Sequence, residues 1–162
     1  MSEVCFRTVQ SDEDVALLDE ALRCLSADLG DDHIAGHDAL TTALRGACPS
    51  AHGIVALKGA ALCGAVLFSP VFSTVRGAPG LYVSDLWVSD EARGMGLGPR
   101  LLASAARRAG QLWGANWLTL AVYHTSPRSR RFYERLGFKA DTGASVMKLG
   151  AEGLGQLMRD AG

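Results

Sequence analysis

The chain has 162 residues, of which 48% are hydrophobic and 20% charged, and its formal net charge is −1. Such a length buries a real core without disulfides or structural metal, and such a composition excludes intrinsic disorder, so a single domain over residues 1–162 is expected. The near-neutral charge excludes a global field that recruits nucleic acid, and no apolar run reaches the roughly 18 residues of a bilayer span.

In chain order, Val4 to Val9 alternates as a first strand. Ser11 is an N-cap candidate, and Asp12, Glu13 and Asp14 favour the first turn of the helix that follows. Val15, Leu18, Leu22 and Leu25 recur at helical spacing before Leu29-Gly30-Asp31-Asp32 breaks the pattern. A short second helix is expected from Asp38 to Arg45. His52 to Leu57 and Leu62 to Phe68 are short apolar runs joined by Lys58-Gly59-Ala60-Ala61, which suits an antiparallel hairpin. Gly80 to Val88 forms a fourth strand whose alternation fails at Ser84-Asp85, the place for a bulge.

Leu97, Leu101, Ala105, Ala109 and Leu112 share one face of the next helix, which Gly114 closes in a left-handed conformation. Trp117 to Tyr123 reads as a fifth strand. Ser126-Pro127 supplies an N-cap and a first-turn proline for a helix ending at Gly137. Phe138 to Ala140 and Ser145 to Leu149 form a final hairpin, and the last dozen residues a peripheral helix. This order describes a mixed α/β (α+β) domain.

Cys5, Cys24, Cys48 and Cys63 lack a Cys-x-x-Cys pair and read as reduced, small, buried hydrophobes. Lys58 and Gly64 interrupt the longest apolar run, and the N-terminus shows no signal-peptide pattern, so a cytoplasmic location is expected.

The chemistry concentrates in Arg93-Gly94-Met95-Gly96-Leu97-Gly98, set between a strand and a helix. A diphosphate needs close backbone approach and several N–H donors. Glycines permit the first, and a helix N-terminus supplies the second with its positive dipole end. Arg93 adds a cationic donor, and Pro99 is tolerated in the first turn. The dinucleotide-binding alternative fails, because the spacing is Gly-x-Gly-x-Gly and the next strand ends without an acidic residue for a ribose. A Gly-x-x-x-x-Gly-Lys-Ser/Thr loop is also absent.

With these residues the sequence resembles the GCN5-related N-acetyltransferase (GNAT) superfamily, whose signature is Arg/Gln-x-x-Gly-x-Gly/Ala after an aliphatic strand. Arg93 to Gly98 matches every position, and Ser129-Arg130-Arg131-Phe132-Tyr133-Glu134-Arg135-Leu136-Gly137-Phe138 is similar to the second block. Leu81-Tyr82-Val83-Ser84-Asp85-Leu86-Trp87-Val88 resembles the diamine (spermidine/spermine-type) branch, except that Ser84 stands where that branch has an acidic residue. Ser126 likewise replaces the Asn that often contacts the cofactor arm.

The resemblance implies the GNAT-type acyl-CoA N-acyltransferase fold. That fold is a mostly antiparallel twisted sheet with splayed middle strands and helices on both faces. It implies acetyl transfer from acetyl-CoA, without metal, to a primary amine of a small molecule. Leu86, Trp87 and Val88 would hold the pantetheine arm with their backbone, the Val88 region would stabilise the oxyanion, and Arg93 to Gly98, Ser126 and Ser129 would complete the cofactor site. Tyr133 is then the general acid toward the coenzyme A sulfur, with Asp85 and His124 as alternative bases. Asp31 and Asp32, with His33 and His37 beside them, and Ser84 fall where acceptors bind, and acidic groups there attract an amine. They serve equally as loop caps, and their spacing with the histidines does not make a metal site.

Arg128, Arg130, Arg131 and Arg135 make the last long helix basic, which reads first as a solvated face. A homodimer is expected from the family; nucleic-acid and membrane partners are not. Two other readings stay open: a protein or peptide N-acetyltransferase, and a catalytically silent acyl-CoA-binding regulator.

Overall fold

The computed structural model describes residues 3–161, in two compact units that meet in sequence at Val122/Tyr123. The first unit holds a five-stranded sheet in the order β1-β2-β3-β4-β5. Its strands are β1 (Val4–Thr8), β2 (His52–Lys58), β3 (Ala61–Ser73), β4 (Ala78–Val88) and β5 (Leu118–Leu120). The first four pair antiparallel, and β5 joins β4 in parallel.

Helices α1 (Asp12–Leu29) and α2 (His37–Arg45) cover one face of this sheet, and α3 (Leu97–Trp113) covers the other. Alternation along the strands decides which residues meet which helix. Val55, Ala65, Leu67 and Trp87 turn to the cluster built on Val15, Leu18, Leu22, Leu40 and Leu44. On the opposite face Gly64 lies under Leu97 and Leu101, and Phe68 under Trp113.

Local chemistry starts and stops these helices. Ser11 and Asp14 form a reciprocal capping box at α1, with Ser11 Oγ accepting from the Asp14 amide at 3.1 Å. Burial raises the Asp14 pKa, but the Gln10 and Ser11 amides, the Ser11 hydroxyl and Arg7 outweigh it, and the net shift is downward. Gly30 (φ 74°) and Gly114 (φ 72°) end α1 and α3. In α3 the buried stripe is Leu97, Leu101, Ala105 and Ala109; Leu112 is 44% exposed, and Trp113, four residues after Ala109, takes the inward place.

β3 runs five residues past the expected end at Phe68, through Pro70. Beyond the His52↔Phe68 pair β2 no longer accompanies it, and that free edge accommodates a proline. Of the cysteines only Cys63 is buried; Cys5 and Cys48 are exposed because they lie on an edge strand and in a loop.

The expected bulge is in β4. Leu67 pairs with Asp85 and Phe68 with Val83, so Ser84 is the extra residue, and its hydroxyl donates to the Leu67 carbonyl at 3.3 Å. Pairing with β5 covers only Leu81 to Val83 against Leu118 to Leu120. The fifth strand is therefore three residues long instead of the seven expected, and Ser84 to Val88 have no β5 neighbour. The two strands open apart at the bulge.

The second unit contains α4 (Pro127–Arg135) and α5 (Ala151–Asp160). Pro127 occupies the first turn of α4, and Gly137 (φ 92°) follows its end, where the Phe138 amide donates to the Tyr133 carbonyl at 3.1 Å. The expected hairpin is absent: residues 138–150 contain no strand, and Val146 and Met147 are 81% and 88% exposed. Two short runs without a third strand or a helix to pack on do not bury enough to stay paired.

Two predictions follow from the sheet. A Cβ at Gly80 would stand 2.5 Å from the Trp117 ring and 2.8 Å from its carbonyl. Gly80→Ala should therefore destabilise the protein by about 1–3 kcal/mol, and an unchanged urea midpoint would contradict this. His52 sits 5.1 Å from the Trp113 ring and 5.8 Å from Phe68, and burial, then Arg108, lowers its pKa below 6.5. The unfolded chain then binds more protons below pH 6.5, so stability should fall as pH drops through that value. His52→Phe should flatten that slope in thermal melts between pH 5 and 7.

Candidate active site

The loop joining β4 to α3 begins with a short helical turn, Asp90–Ala92, and reaches α3 through two glycines in the left-handed region, Gly94 (φ 77°) and Gly96 (φ 73°). No other residue type takes that conformation so readily. Gly96 caps α3 without any side-chain hydrogen bond. The amides of Gly96, Leu97 and Gly98 consequently have no acceptor among the described residues. A Cβ at Gly94 or Gly96 would meet nothing within 4 Å. The loop thus presents unbonded N–H groups, a helix dipole and open space at one point, which fits a diphosphate.

Arg93 braces the loop. Its Nε donates to the Val88 carbonyl at 3.1 Å, its Nη2 meets Asp28 Oδ2 at 2.6 Å, and its Nη1 pairs with Asp90. The guanidinium clamps the loop to the end of α1 and the end of β4. Asp28 lies 65 residues away in sequence, and nothing in the sequence pattern signals it.

Along β4 the ladder directs successive backbone groups to opposite sides. Ser89 donates to the Cys63 carbonyl at 2.9 Å, so Trp87 also faces β3, while the Leu86 and Val88 amides turn to the side where β5 has ended. Trp87 buries its ring against the α1 cluster instead. Met95 is 67% exposed at the tip of the loop.

Asp85 follows the bulge on the α1 face. Burial raises its carboxyl pKa above 3.8, only partly offset by the neighbouring Ser84 hydroxyl and by the nearby His33 imidazole. Asp31 and Asp32 are exposed in the connection between α1 and α2. Within that connection His33 is turned inward, with Nε2 2.9 Å from Asp19 Oδ1, whereas His37 lies at the surface 3.4 Å from Asp12.

In the second unit His124 is exposed in the turn before α4. Ser126 precedes α4 without capping it; its hydroxyl lies 2.7 Å from that of Ser129, so the pair satisfy each other. Arg130 pairs with Glu134 at 2.8 Å on an exposed helix face. Tyr133 stacks edge-on between Phe132 at 4.9 Å and Phe138 at 5.4 Å, and burial pushes its phenol up to about 12. Among the described residues, no group of three or more His, Cys, Asp or Glu is placed to hold a metal, and no helix is long and apolar enough to cross a membrane.

The loop thus opens from a bulged strand beyond the last residue that β5 pairs. The chain belongs to the acetyltransferase (GNAT) family, which it matches over residues 15–138. It is 37% identical over 90 residues to an uncharacterized N-acetyltransferase, YhfO, of Bacillus subtilis, a match covering 56% of this chain and 60% of that relative. Among solved structures it superimposes on an integron cassette protein from the mobile metagenome of Vibrio cholerae with a TM-score of 0.76 and 22% identity, over 98% of this chain and 99% of that one. An aminoglycoside N-acetyltransferase in complex with CoA matches with a TM-score of 0.72 and 16% identity, over 93% and 97% of the respective chains. At such identities these likenesses establish the fold, a mixed α/β sheet of GNAT type.

The cradle makes a measurable distinction. Gly96→Ala places a side chain in open space, so its stability penalty should be limited to left-handed backbone strain of about 1–2 kcal/mol. Coenzyme A affinity should fall at least tenfold, by about 1.4 kcal/mol or more. Calorimetry showing unchanged affinity in the folded variant would remove the loop from the site.

Proposed function

We propose that the protein is an acetyl-CoA-dependent N-acetyltransferase acting on a primary amine of a small molecule. The observation that carries this reading is the set of unbonded amides at Gly96, Leu97 and Gly98, beside the stretch of β4 that β5 leaves unpaired. These amides hold the diphosphate. The Leu86 and Val88 backbone groups, aimed to the same open side, hold the pantetheine arm, and the Val88 amide receives the charge that develops on the carbonyl oxygen.

Asp85 takes a proton from the acceptor ammonium. A half-buried carboxylate beside a strand opening draws a cation and, with its raised pKa, accepts that proton more readily than an exposed aspartate. Asp31 and Asp32 add negative charge for an amine-rich acceptor such as a polyamine or an aminoglycoside. Tyr133 protonates the departing thiolate, a role carried over from the Phe132-Tyr133 position of the family block. Its phenol is fully protonated at neutral pH, as an acid must be, and it yields its proton to a thiolate whose own basicity is raised in apolar surroundings. Ser126 and Ser129 contribute hydroxyls to the cofactor arm, and His124 is the alternative base.

A thiol-release assay with acetyl-CoA against polyamines, aminoglycosides, amino acids and peptides tests the class; release with peptides alone would shift the acceptor to proteins. Tyr133→Phe should lower kcat about 10- to 100-fold with the KM for acetyl-CoA little changed. Because Asp85 must be ionised to act, the acid limb of kcat/KM should lie above the ordinary carboxylate range, and Asp85→Asn should abolish it. A limb that persists in Asp85→Asn would assign the base elsewhere.

A further inference from the structure

Asp19 and His33 form an inward-turned pair, each 13% exposed, whose part in the family's chemistry no motif signals. Asp19 Oδ2 meets Arg23 Nε at 2.9 Å and Oδ1 meets His33 Nε2 at 2.9 Å, so both carboxylate oxygens are engaged. Burial raises the Asp19 pKa, but the bonds to His33 and Arg23 outweigh it and keep the group ionised. An ionised carboxylate only accepts, so Nε2 carries the hydrogen in this pair. His33 Nδ1 is then the basic nitrogen, and it has no partner among the described residues.

The direction in which this base can act follows from the sheet. Asp85 pairs with Leu67, on the face where Leu67 and Trp87 meet the α1 cluster, and α1 carries Asp19. The charged groups that bear on the imidazole are thus Asp19 from α1, itself paired with Arg23, and Asp85 from β4, with Asp31 and Asp32 beside His33 in the chain. A half-buried carboxyl that has taken up a proton needs a path by which to lose it before the next turnover.

We propose that His33, held by Asp19, is a proton relay behind Asp85. The inference rests on the acetyltransferase reading above. Asp85 takes one proton from the acceptor ammonium and leaves a neutral amine. That proton passes to His33 Nδ1, directly or through one water, and the Asp85 carboxylate is regenerated. His33, held in place by its bond to Asp19, then releases the proton to solvent. The balance is the one the reaction requires: an ammonium and a thioester become an amide, a thiol and one proton in water. His33 acts through Asp85 and is a positioning and relay residue.

The test compares His33→Asn, His33→Gln and His33→Ala with the wild type in thiol release, using an amine the wild type accepts. His33→Asn and His33→Gln keep a polar contact for Asp19 but cannot carry the proton. Their kcat should fall about tenfold or more, with the KM for acetyl-CoA within about twofold of wild type. Added imidazole should restore part of the rate in His33→Ala and none in the wild type. Wild-type kcat in a folded His33→Asn or His33→Gln overturns the relay. So does a loss that imidazole does not relieve and that raises KM, which would be a packing defect. If the wild type binds coenzyme A but releases no thiol with any amine, the acetyltransferase reading fails first and the relay with it.

Discussion

β5 is held to β4 by three residues of parallel pairing, and the position where that pairing stops decides what the first unit can do. The Trp117 carbonyl accepts from the Leu81 amide at 3.0 Å, the Trp117 indole donates to the Ala78 carbonyl, and the Trp113 indole donates to Gly80. These bonds gather at the start of β4. One bulge further on, the ladder on the β3 side continues to Val88, while on the other side β5 has ended and the Val88 carbonyl accepts from Arg93. A strand held by a full ladder along one edge is rigid, and amides on its other edge stay available.

The bulge also sets the direction of side chains. If Ser84 paired with Leu67 in regular alternation instead of bulging, Asp85, Leu86, Trp87 and Val88 would exchange faces. Trp87 would leave the α1 cluster, and the Leu86 and Val88 amides would be spent on β3. Taking Ser84 up as a bulge therefore keeps a carboxylate beside α1 and two amides on the open edge. The Ser84 hydroxyl, bonded to Leu67, holds the irregularity in register.

Charge is used locally, as a net charge of −1 demands. The Arg93 guanidinium is paired with Asp28 and Asp90, and the helix dipole adds a positive end at the start of α3. The residue is a clamp that ties the cradle to α1, and α1 in turn carries Asp19. Asp28 braces the loop through Arg93, and Asp19 holds His33.

What the sequence determined by itself is local. The Ser11 cap, the helix break at Gly30, the left-handed Gly114, the bulge at Ser84-Asp85 and the approximate bounds of most strands and helices depend on neighbours a few residues away, and each was legible as a spacing. The glycine loop was legible for the same reason, since its amides and its helix are contiguous. Tertiary structure alone decided which partner each distant group found. Arg93 turned to Asp28 across 65 residues, and His33 turned to Asp19 instead of remaining a loop histidine beside Asp31 and Asp32. It also shortened β5 and left residues 138–150 unpaired, because a strand exists only where another backbone meets its hydrogen bonds, and no property of the segment itself supplies that neighbour.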